Sequence, residues 1–80
     1  MKTAKEMFEA LGYKQEYYQE GFGFIGNYYE WKQPCSGALK EIMFWEIGQT
    51  VTIKNETDYG FNGEEILAIT QQMKELGWLK

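Results

Sequence analysis

The stretch Glu41-Ile42-Met43-Phe44-Trp45-Glu46-Ile47-Gly48-Gln49-Thr50-Val51-Thr52-Ile53-Lys54 decides the fold class. It reads as a hairpin of strands Leu39–Ile47 and Thr50–Lys54, turning at Gly48-Gln49. Two-residue and four-residue loops give the same side-chain parity, because side chains alternate along a strand. Ile42, Phe44, Val51 and Ile53 therefore share one face. Met43, Trp45, Ile47, Thr50, Thr52 and Lys54 share the other. The first set is wholly apolar and is expected to meet a helix layer. The second mixes threonine and lysine with large apolar groups, the pattern of a half-exposed sheet face.

Upstream, Tyr13–Gln19 is expected to be a strand, with a turn at Glu20-Gly21. Phe22–Lys32 is expected to be another, bulged at its glycines or turning at Gly26-Asn27. Gln33-Pro34-Cys35-Ser36-Gly37 has loop composition. Asn55–Gly60 is polar and is expected on the surface.

A helix is predicted at each end. Thr3 and Glu6 form a capping box ahead of Ala4–Leu11, whose Ala4, Met7, Phe8 and Leu11 line one face. Gly12 supplies the left-handed stop and Tyr13 folds back on Phe8. Asn62 and Glu65 repeat the box, with Phe61 and Ile66 placed as a hydrophobic staple. Ile66, Ile69, Thr70, Met73 and Leu76 form the expected buried stripe, widened by Leu67. Gly77 and Trp78 close that helix as Gly12 and Tyr13 close the first. The expected architecture is α+β: α-β-β-β-β-α, an antiparallel sheet of three to four strands flanked by terminal helices.

The chain has 80 residues, one domain's worth, and buries about 60% of the surface its unfolded form exposes. Cys35 is the single cysteine, so no internal disulfide forms. That argues for a reducing, cytoplasmic setting. No apolar run has membrane-span length.

Composition excludes more chemistry than it suggests. Net charge is −4, from 8 basic and 12 acidic residues. Every base is lysine, and there is neither arginine nor histidine. The chain lacks the bidentate fork used for phosphates and bases and the usual proton shuttle. Cys35 and Ser36 have no histidine to activate them, and a loop thiol is the plain reading of Cys35. Glu6, Glu9, Glu64 and Glu65 fall in early helical turns, where capping and the helix dipole account for them. No zinc or calcium set can be drawn from one cysteine, one aspartate and no histidine. Gly21-Phe22-Gly23-Phe24-Ile25-Gly26 fits a dinucleotide fingerprint in letters only, because no helix follows it. No catalytic residue, cofactor or metal is therefore expected, and the chain reads as a non-enzyme.

Several stretches resemble small uncharacterised proteins encoded by bacteriophages and prophages of Gram-positive bacteria. They are Thr3 to Tyr13, the hairpin strands Glu41–Phe44 and Thr50–Ile53, and Glu64–Ile69 with Glu75–Leu79. Asn62-Gly63 departs from that pattern, which more often has a threonine-based cap. The resemblance implies a helix–sheet–helix layout and a phage-related setting, and no activity.

What remains is a surface. Two short helices cover one sheet face, which leaves Met43, Trp45, Ile47 and, depending on register, Tyr29 and Trp31 as the candidate interaction surface. A protein partner or a homodimer is expected there. The alternative is a weak single-stranded nucleic-acid or nucleotide binder stacking bases on Tyr28, Tyr29, Trp31 and Trp45, with charge from Lys32, Lys40 and Lys54. The acidic balance opposes it. An acidic inhibitor of a host nucleic-acid enzyme is a further alternative, although the acids are dispersed.

Overall fold

The computed structural model describes residues 2–18, 27–35 and 38–79. The expected turn at Glu20-Gly21, the glycine-rich segment from Phe22 to Gly26 and the pair Ser36-Gly37 lie outside them. So does the Cys35 side chain.

Helix α1 (Ala4–Ala10) begins at a complete capping box. The Thr3 hydroxyl accepts from the Glu6 amide, and the Glu6 carboxylate accepts from the Thr3 amide. Helix α2 (Gly63–Glu75) repeats this with Asn62 and Glu65. Both helices end in a Schellman motif. The Tyr13 amide donates to the Phe8 carbonyl at 3.0 Å, and the Trp78 amide to that of Met73 at 2.9 Å. Each motif needs a left-handed residue after the cap, and Gly12 (φ 88°) and Gly77 (φ 79°) supply it.

Between the helices run β1 (Lys14–Tyr18), β2 (Tyr28–Cys35), β3 (Ala38–Trp45) and β4 (Thr50–Asn55). They form one antiparallel meander in sequence order. A 3₁₀ turn at Ile47–Gln49 makes the β3–β4 connection four residues long, with Trp45 opposite Thr50. The expected hairpin parity is what the register shows. Ile47 lies in that turn and not in the strand.

The expected loop at Gln33–Cys35 is instead the end of β2, and Pro34 pairs with Leu39. Lys32 is the last position of β2 opposite β1. Beyond it β2 has one strand neighbour, the edge condition in which a missing N–H is tolerated.

Both helices lie on the face that carries Trp31, Ile42 and Phe44, which are fully buried. Phe8 of α1 stacks on Trp31, with centroids 4.7 Å apart and planes at 18°, and meets Tyr13 and Phe44 edge-on. From α2 the Gln72 side chain reaches the Trp31 indole N–H at 3.2 Å. The helices run antiparallel, and the Ala4 amide donates to Glu75 at 2.7 Å.

Two expectations about this core change. The buried stripe of α2 is Glu65, Ala68, Ile69 and Gln72, with Met73 and Leu76 packed beside it. Ile66 is 48% exposed and Leu67 61%. The helix is turned so that Glu65 and Gln72 meet polar partners in the core, which an apolar count cannot foresee. The core also covers β4 only in part: Val51 packs against it, whereas Ile53 is 47% exposed although it shares a face with Ile42.

Gly77 has open space where a Cβ would stand. The cost of Gly77→Ala is then purely conformational, about 1 kcal/mol for a left-handed alanine. A lower urea midpoint at unchanged slope is the expected result. An unchanged midpoint contradicts the assigned helix end.

Candidate interaction surface

The β2–β3 register sorts the candidate residues. Trp31 pairs with Ile42 and Tyr29 with Phe44, so both belong to the helix side. Trp31 is fully buried, and Tyr29 is half-buried against the core with Tyr17 at 4.6 Å. Neither forms part of the expected surface. Met43 and Trp45 do lie on the opposite face, half-exposed, and Ile47 projects from the adjoining turn with 56% of its surface exposed.

Among the described residues, neither helix packs on that opposite face. Reading across the strands, its rows are Tyr28–Trp45–Thr50, then Glu16–Glu30–Met43–Thr52, then Lys14–Lys32–Glu41–Lys54. The first row is aromatic. The Tyr28 and Trp45 rings lie 4.3 Å apart, and the Trp45 indole donates to the Thr52 hydroxyl at 3.0 Å. Packing on its neighbours leaves Tyr28 buried. Burial is also the main cause that lifts the Tyr28 phenol above its usual range, assisted by the Glu30 charge.

The second row contains an unforeseen group. Glu30 is buried on this face. Burial raises its carboxyl above the usual range. Lys32, at 3.5 Å, opposes that rise, and Glu41 adds to it by its charge and a hydrogen bond. A carboxyl that resists ionisation in the folded state makes folding less favourable as pH rises.

On the helix side, the sequence reading missed a buried polar cluster. Lys40 lies 3.2 Å from Glu65, donates to the Gly60 carbonyl at 2.8 Å, and sits 4.9 Å from the Phe61 ring centre. The Tyr13 hydroxyl also donates to Glu65. Burial pushes the Glu65 carboxyl up, but hydrogen bonds from Tyr13, Asn62 and Lys40 outweigh it and hold the group below its usual range. Burial, and then the bond to Glu65, push the Tyr13 phenol far up. The clue was present at Glu65, an N3 residue of a capping box. Its other two partners come from β3 and the end of α1, and no spacing announces them.

This arrangement bears on the alternative ligands. Lys40 is sealed against Glu65, and Lys32 lies beside Glu16 and Glu30 at 3.4 and 3.5 Å. With Trp31 and Tyr29 on the helix side, the four-ring stacking platform expected for nucleic acid does not assemble. Glu6 is engaged in its cap, and Glu9 pairs with Lys5 at 3.1 Å. Among the described residues no three acids, cysteines or histidines are grouped to hold a metal ion. Likewise no described helix is long and apolar enough to cross a membrane. Between the helices, Lys2, Met7, Ala10, Leu11, Glu64 and Leu67 line a shallow cleft of about 340 Å³. No family model, curated protein or solved structure matches this chain.

Two substitutions test these electrostatics. Lys40→Met leaves Glu65 buried without its cation and is expected to cost about 3 kcal/mol. Urea unfolding near neutral pH reads it, and a loss below about 1 kcal/mol contradicts the buried pair. Glu30→Gln works in the opposite sense. The wild-type carboxyl is raised in the folded state, so wild type loses stability relative to the variant as pH rises through and above the carboxylate range. The variant should therefore gain in relative urea midpoint between pH 3 and pH 7, and a constant difference contradicts the assignment.

Proposed function

We propose that this chain is a non-enzymatic interaction domain whose working surface is the helix-free sheet face at its Met43, Trp45 and Ile47 end. The observation that carries this reading is the sidedness of the aromatic residues. Trp31 is closed into the core, whereas Trp45 is half-exposed on the face that neither helix covers. Trp45 is held there by Tyr28 and by Thr52, so its ring is presented in a fixed orientation. A rigid, partly exposed tryptophan beside methionine and isoleucine is the composition of a binding hot spot. The ligand is a protein surface with an apolar centre.

Ile47→Glu is the cleaner test, because Ile47 sits in an exposed turn. Its effect on stability should stay within about 0.5 kcal/mol. Immobilised wild type, Ile47→Glu and Trp45→Lys are compared for the proteins they retain from an extract of the source cells. Folding of each variant is checked by circular dichroism. The expected outcome is a protein retained by folded wild type and lost from both folded variants. Identical retention by all three contradicts the reading.

A further inference from the structure

Strand β4 closes the meander on one side, so among the described residues one of its long edges faces no strand. Five of its six positions are exposed, Val51 being the half-buried exception. Thr50, Val51, Thr52 and Ile53 are all β-branched, the residue class that favours extended pairing. Natural edges are usually blunted by proline, a bulge or several charges. This one has an uninterrupted register against β3, no proline, and a single charge at Lys54.

The direction of its backbone groups follows from one bond. The Glu56 amide donates to the Leu39 carbonyl at 2.9 Å, at the end of the same ladder. In an antiparallel pair, successive residues turn their N–H and C=O alternately toward and away from the neighbour. The even-numbered residues of β4 therefore face β3. Val51 and Ile53 turn their N–H and C=O outward.

We propose that β4 pairs antiparallel with β4 of a second copy of this chain, about a two-fold axis at Thr52, joining two four-stranded sheets into one continuous sheet. Outward-facing residues must exchange bonds with outward-facing residues. Centring on Thr52 meets that condition within β4 itself. Val51 lies opposite Ile53 of the partner subunit and Ile53 opposite Val51 of the partner subunit. Each pair exchanges an N–H and a C=O in both directions. Thr52 faces itself across the axis as a close pair without backbone bonds, and Thr50 faces Lys54 of the partner subunit. A centre at Ile53 would instead set Val51 against Asn55 of the partner subunit, losing the apolar match.

The second copy is favoured as occupant by the pattern of the strand. Thr50-Val51-Thr52-Ile53-Lys54 is close to a palindrome in shape about Thr52, with β-branched apolar groups one residue to either side. Val51 and Ile53 belong to the helix side of the sheet, where the core leaves Ile53 half-exposed. Pairing brings these apolar groups together and continues the apolar row of Ile42 and Phe44. The axis is perpendicular to the sheet, so both helix layers lie on one side. Both Trp45 faces then lie on the other, and the assembly presents two copies of the surface described above.

The test uses the residue that meets itself. Thr52 is exposed, and its side chain accepts only the exposed Trp45 bond among its described partners. Thr52→Lys or Thr52→Glu each sets like charges directly opposite at the axis. Each should weaken self-association by about fivefold. Mixed in equal amounts, the two set opposite charges there and should associate at least as tightly as either does alone, with the mixed species dominant. Sedimentation over a concentration series reads both results, and circular dichroism confirms that each variant is folded. Ile47→Glu should leave this association unchanged, which separates failure here from failure of the face reading. Wild type that remains a single copy to millimolar concentration overturns the proposal. So does a dimer that neither charge weakens. Should either variant not fold, hydrogen exchange on wild type decides. Protection of the Val51 and Ile53 amides that grows with concentration supports the pairing, and protection that does not overturns it.

Discussion

Trp31 is where the fold is joined. Its ring lies under Phe8, which fixes α1, and its indole N–H is held by Gln72, which fixes α2. It stands opposite Ile42 on β3 and Gln15 on β1. A single side chain of β2 thus touches or pairs with both helices and both neighbouring strands. With no disulfide to restrain so short a chain, an aromatic centre of this kind supplies much of the apolar burial that closes the domain. It also decides the sidedness of the sheet. Once Trp31 is committed to the helix layer, Trp45 must fall on the other face, because parity along paired strands is fixed.

The polar cluster at Lys40, Glu65 and Tyr13 is the second constraint. It turns α2 so that Glu65 and Gln72 point inward while Ile66 and Leu67 point out. A charge pair of this kind adds little net stability over an apolar equivalent, but breaking it is costly. Its structural effect is to fix the rotation of α2 about its own axis. Glu30 on the opposite face pulls the other way with pH, so the two buried carboxyls act on stability in opposite directions as solution becomes acid.

Local chemistry was legible in the sequence. Both capping boxes and both glycine helix ends follow from partners three to five positions apart, and the parity of the β3–β4 hairpin from two strands joined by a short turn. The expected α+β arrangement, an antiparallel sheet flanked by two terminal helices, is the observed one. What escaped was set by distant partners. Tyr29 and Trp31 could be assigned a face only once β2 was in register with β3, and the glycine-rich segment before β2 left that register open. Pro34 read as a loop residue because nothing local says that β2 continues past Lys32 after losing β1 as a neighbour. The apolar stripe of α2 was misjudged because Glu65 and Gln72 find their partners about 25 and 41 positions away. Of the residues expected on the uncovered face, Met43 and Trp45 lie on the side away from the helices and Ile47 in the adjoining turn, while Trp31 is in the core and Tyr29 packs against it.

The central claim is that this sheet has one closed face and one working face. Exchange of the indole N–H protons, followed by two-dimensional NMR on the wild-type protein, tests it most directly. The Trp31 proton, buried and held by Gln72, is expected to exchange only through unfolding of the whole domain, whereas the Trp45 proton, bonded to Thr52 at the surface, exchanges orders of magnitude faster. Equal rates for the two protons, or the slower rate at Trp45, would contradict the account.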